Sequence, residues 1–129
     1  MADLDKLTAA LESAAEGSEE LDERVGRAFG WWYDFDNVEW VREGEIVEFL
    51  PVYTRSIDAA LTLVPEGWIL HRLGQERKWN PMTDFLWVAR LHKGEVPSSR
   101  NIVQYFAVTP ALAICAAALR ARMTEKGEG

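Results

Sequence analysis

The 129-residue chain has one cysteine, two histidines and no long apolar run, and each shortage narrows what it can be. A lone Cys115 cannot close an internal disulfide, so the sequence predicts a reducing compartment and a fold without covalent staples. The longest apolar stretch, Ala111 to Leu119, is far short of the roughly 20 residues needed to cross a bilayer. No positively charged start leads into an apolar segment and a small-residue cleavage site, so a signal peptide is not expected and a cytoplasmic location is. The chain has no GxSxG, no Walker A loop, no HExxH and no pair of CxxC, which leaves no catalytic residue to assign.

What is present reads as globular. Hydrophobic residues make up 48% and charged residues 27%, which argues against disorder and predicts a single domain over 1–129. Charge is unevenly spread: residues 1–50 hold fourteen acids and four bases (net −10), residues 51–129 seven acids and ten bases (net +3). A chain of this acidity is a poor ligand for duplex DNA or RNA, whose capture depends on neutralising phosphates. A local arginine can still hold a small anion, because the local field decides.

Along the chain, Leu4, Leu7 and Leu11 have helical spacing until Gly17, and Leu21, Val25 and Phe29 continue after Ser18, a hydroxyl suited to capping. These give acidic N-terminal helices within 1–30. Residues 31–50 mix Trp31, Trp32, Tyr33, Phe35 and Trp40 with Asp34, Asp36 and Asn37, and read as a packed loop. Short strands at 39–42 and 45–49 around Gly44 are the alternative within it. A sheet-and-helix core is expected over 51–123. It comprises a helix from Ile57 capped by Thr54 or Ser56, strands at 68–73, 85–92 and 101–108, and a helix from Pro110 to Met123 capped by Thr109. The last helix is apolar almost all round, so it should lie against the sheet with little exposed. The expected fold is α+β: a small antiparallel sheet of about three strands packed with helices, sandwich-like.

Few residues suggest chemistry. Cys115 among alanines has no base beside it and reads as a core thiol, and His71, His92 and Cys115 lack zinc-site spacing, so neither metal nor cofactor is expected. Asp34 and Asp36 are the one carboxylate pair suited to acid–base work, and turn formation accounts for them equally well. Trp68 and Trp87 fall in strands and read as core, whereas Trp31, Trp32 and Trp79 could pack inside, stack on a base or meet a subunit. Tyr53, Thr54, Arg55, Ser56 and Thr109 precede two helices, where free N–H groups, hydroxyls and a guanidinium suit an anion; ordinary capping explains the same hydroxyls.

Residues 53–68 (YTRSIDAALTLVPEGW) and 109–121 (TPALAICAAALRA) together resemble small phage and prophage proteins of the ABA-sandwich type, which pair two such helices across a small sheet. The resemblance covers 29 of 129 residues and carries helix-packing motifs, so it speaks to fold before activity. It implies an accessory, non-virion protein. The function expected on that basis is capture of a small nucleotide signal of host immunity, such as a cyclic oligonucleotide or an ADP-ribose derivative, at the interface of a homo-oligomer. Tyr53, Thr54, Arg55 and Ser56 would hold phosphate, and Trp31 or Trp32 would stack on the base. The alternatives are an acidic inhibitor of a host protein and a small nucleotide hydrolase using Asp34 or Asp36.

Overall fold

The computed structural model describes residues 2–77, 85–94 and 101–125. Two N-terminal helices, α1 (Ala2–Ser13) and α2 (Glu19–Ala28), are followed by the short strands β1 (Trp32–Asp34), β2 (Glu39–Arg42) and β3 (Glu45–Val47). A single helical turn, α3 (Ile57–Leu61), precedes the long strands β4 (Trp68–Arg77), β5 (Phe85–Lys93) and β6 (Ile102–Ala107), and α4 (Pro110–Glu125) closes the described chain. The class is α+β, with two antiparallel three-stranded sheets ordered β1-β2-β3 and β4-β5-β6.

The larger sheet is amphipathic by register. Leu70 pairs with Leu91, Leu91 with Val103, Leu73 with Ala89, Ala89 with Tyr105 and Trp87 with Ala107, so these side chains share one face. Strict alternation would put Leu70 and Leu73 on opposite faces. A bulge at His71, between the Leu70 and Arg72 pairings, restores both to the apolar side.

α4 packs on that face. Every residue from Ala111 to Leu119 is buried, as an all-round apolar helix requires, because α1, α2 and α3 cover its other sides. The alanines carry little bulk, so sheet and helices approach it closely at native packing density. α4 is therefore the middle layer of the fold. One apolar cluster runs from Leu7 and Leu11 through Trp31, Trp40 and Trp68 to Ala121.

The structure decides two alternatives the sequence left open and lengthens one strand. Residues 31–50 form a three-stranded meander and not a packed loop: the alternative strands at 39–42 and 45–49 are present as β2 and, cut to 45–47, as β3, while β1, three residues long, is too short for alternation to register. Its first turn also hides, because Val38 (φ 56°) adopts the left-handed region that glycine or asparagine would normally announce, whereas the second turn carries Gly44 (φ 86°) after Glu43 (φ 39°). The helix cap at α3 is Ser56, whose Oγ accepts from Ala59 N at 3.2 Å, leaving Thr54 to other work. β4 continues past Leu73 to Arg77, with Gly74 inside the strand opposite Val88. Trp79 lies outside the described residues.

Candidate functional site

The turn before α3 is tied to α2 by one carboxylate. Asp22 is 3% exposed and its Oδ1 accepts from Thr54 N at 2.7 Å and from Thr54 Oγ1 at 2.5 Å. Its Oδ2 accepts from Arg55 Nε at 2.9 Å and Nη2 at 2.7 Å. Thr54 Oγ1 in turn accepts from Ser18 N at 3.1 Å, while Ser18 Oγ caps α2 by accepting from Leu21 N at 3.1 Å. A buried carboxylate persists only when its oxygens are satisfied and its charge is met, and Thr54 and Arg55 do both. The sequence carried a signal for this: Asp22 shares the stripe of Val25, Gly26 and Phe29, the one charged position on the buried side of α2. Gly17 belongs to the same joint, since a Cβ there would fall on the Thr54 carbonyl.

Tyr53 and Trp31 are also spent internally. Trp31 Nε1 donates to the Tyr53 hydroxyl at 2.9 Å, the Arg42 guanidinium lies 4.4 Å from the Trp31 ring centroid, and both aromatic residues are buried. Burial pushes the Tyr53 hydroxyl above the usual tyrosine range, with the Trp31 bond opposing. Trp32 points the other way. It is 53% exposed and stands beside Val41 and Ile46 on the outer face of the meander.

Arg55, Ser56 and Thr109 do come together. They line one cleft of about 700 Å³ with Thr54, Glu16, Gly17, Ile57, Asp58, Pro110 and Ala111, although the Thr54 side chain is buried on Asp22. Arg55 remains half-exposed, and its Nη1 takes no part in the two bonds to Asp22. Ser56 Oγ and Thr109 Oγ1 each accept a capping bond, from Ala59 N and Leu112 N at 3.2 Å, which leaves each hydroxyl proton to donate outward. One guanidinium faces the carboxylates of Glu16 and Asp58 across this cleft. Because Asp22 already meets the Arg55 charge, Glu16 and Asp58 leave the cleft net negative, a field that suits a ligand with several N–H or O–H donors and repels a polyphosphate.

The remaining candidates resolve into structure. Asp34 closes the β1–β2 turn: its Oδ1 accepts from Asp36 N at 3.0 Å and Asn37 N at 3.3 Å, and its Oδ2 from Asn37 Nδ2 at 2.8 Å. The Asn37 side-chain bond, helped by the backbone bonds, holds this carboxyl below the usual aspartate range, which makes it a weak base. Cys115 is fully buried with Sγ 3.2 Å from Tyr53 O, and burial pushes its thiol far above the usual range. The rings of His71 and His92 meet edge-on at 5.4 Å, a pairing the sequence reading missed because it joins two strands whose register was not set. Among the described residues, no three histidine, cysteine or acidic side chains form a group able to hold a metal ion. None of the described helices is long and apolar enough to cross a membrane.

Comparison with protein-family models, curated proteins and solved structures returns no match.

Proposed function

We propose that the chain is a non-catalytic accessory binding protein of phage or prophage that takes up a small nucleotide in the cleft between the starts of α3 and α4, in the cytosol of the host. The observation that carries the reading is the convergence of Arg55, Ser56 and Thr109 on one cleft of about 700 Å³, a volume in the range of small-molecule sites. Arg55 Nη1 and the two hydroxyls would donate to a phosphate oxygen. Glu16 and Asp58 would accept from ribose hydroxyls or base N–H groups, the role carboxylates play in many nucleotide sites. Ile57 and Pro110 offer apolar surface to the base. Trp32 does not line this cleft, so stacking by it would require a second copy of the chain.

With Arg55 paired to Asp22 and two carboxylates beside it, the cleft tolerates at most one phosphodiester charge per site, so a cyclic dinucleotide shared between two copies is favoured over a nucleoside triphosphate. Thermal unfolding with cyclic di- and trinucleotides, ADP-ribose derivatives and triphosphates tests this. A ligand at 100 times its Kd adds about 2.7 kcal/mol. A selective shift with the ligand recovered unaltered is expected, and Arg55→Lys, which can keep its pairing with Asp22 while losing Nη1, should weaken binding at least tenfold. No shift across the panel, or full affinity in Arg55→Lys, would overturn the reading.

A second reading, capture of a host protein by the acidic N-terminal half, is favoured by a separate observation: large exposed aromatics stand beside the carboxylates of α2.

A further inference from the structure

Two clefts of about 400 and 430 Å³ share Glu19, Glu23, Trp40 and Phe49, and so form one groove between α2 and the meander. Its apolar surface is unusually open: Phe35 is 81% exposed, Phe49 78% and Val38 64%. Leaving two phenylalanines and a valine in water is unfavourable, and such surface in one place marks an interaction site more often than scattered exposure does. The aromatic wall is ordered from within, since Phe35 packs edge-on against Tyr33 at 4.9 Å and Tyr33 against Trp40 at 5.2 Å.

Charge identifies the occupant. Glu19 and Glu23 on one side and Glu48 on the other carry three negative charges, and among the described residues none of the three forms an ion pair. Of the two arginines that reach the groove, Arg55 is neutralised by Asp22 and Arg27 lies over the Trp40 ring, 5.0 Å from its centroid. The fold already seats cations on aromatic rings repeatedly, with Arg42 over Trp31 and Arg122 over Phe29 as well. A cationic side chain resting on Phe35 or Phe49 and within reach of Glu19, Glu23 or Glu48 would repeat that arrangement across an interface.

We propose that this groove docks a basic segment of a partner protein, one in which lysine or arginine alternates with apolar residues, with cations against the carboxylates and apolar side chains against Phe35, Val38 and Phe49. The assignment rests on the protein-capture reading and gives it a site; Arg55 borders both this groove and the nucleotide cleft, and no other described residue lines both. Electrostatic attraction would draw the segment in and aromatic burial would hold it.

Fluorescence anisotropy of labelled twelve-residue peptides against the full chain tests this. An alternating Lys–Leu peptide should bind, with Lys–Ser at least tenfold weaker and Glu–Leu not bound. Phe35→Ser with Phe49→Ser, and separately Glu19→Gln with Glu23→Gln, should each weaken Lys–Leu binding at least tenfold while the chain stays folded at the assay temperature, as its unfolding midpoint will show, since all four side chains are exposed. The matched charge change Glu43→Gln with Glu66→Gln, away from the groove, should leave binding within twofold. Equal loss in that control, or an unaffected phenylalanine variant, would overturn the groove while leaving charge-led capture standing. No binding of either lysine peptide would overturn both. Self-association abolished by the phenylalanine variant would make the occupant a second copy and overturn the partner assignment.

Discussion

Asp22 illustrates how much of this molecule turns on single side chains. Its two oxygens accept four bonds from Thr54 and Arg55, so removing it strands a buried Thr54 N–H and releases the Arg55 guanidinium. Asp22→Ala should cost about 2–4 kcal/mol, read as a lower urea midpoint, whereas Thr54→Ser keeps the hydroxyl bonds and should cost less than about 1 kcal/mol. Equal stability of Asp22→Ala and wild type would mean the carboxylate is not the tie between α2 and the α3 turn. Cys115 gives a second test. With burial raising its thiol and no water reaching it, an aromatic disulfide reagent should react only at the rate of unfolding, and immediate labelling of the native protein would contradict the fold around α4. Cys115 as a core thiol was legible from its alanine neighbours. The work of Thr54 and Arg55 was not, since capping and anion-binding residues look alike until a partner such as Asp22 is placed beside them.

Among the elements, α4 shows why termini matter in a buried helix. Its last described residue, Glu125, accepts from Trp68 Nε1 at 3.0 Å and from Lys93 Nζ at 2.7 Å, pinning the helix end to β4 and β5. The Lys93 bond, with Trp68 second, holds this carboxyl below the usual glutamate range. A carboxyl lowered by folding contributes stability above its unfolded pKa, and that contribution fades as pH falls through the lowered value. Amide exchange in the last turn of α4 should therefore quicken as pH falls through the carboxylate range, after correction for intrinsic rates, and Glu125→Gln should flatten that dependence. A flat profile in the wild type would sink the idea. The start of α4 was plain from Thr109-Pro110, and β5 from its alternation. The meander was legible only in part: the Gly44 turn marked the strands on either side of it, whereas β1 is three residues long and Val38 takes the left-handed region without a turn residue's signature.

At the scale of the whole molecule, a single apolar cluster joins the tryptophans of both sheets, Trp31 and Trp40 near the meander and Trp68 on β4. Tryptophan fluorescence and far-ultraviolet circular dichroism should accordingly report one coincident unfolding transition in urea; two separated midpoints would show that the meander and the larger sheet melt independently. The separation of charge, −10 over residues 1–50 against +3 over the remainder, was readable without coordinates, as were the α+β class and the burial of an all-round apolar helix. Those properties depend on composition and on local periodicity, which the chain carries in its order of residues. Tertiary structure alone decided which polar groups meet. It put Asp22 under Thr54 and Arg55, brought Arg55, Ser56 and Thr109 to one cleft, buried Trp31 while exposing Trp32, and set Phe35 and Phe49 beside Glu19 and Glu23. Each juxtaposition joins residues from different elements, and its chemistry exists only once helix and sheet have packed.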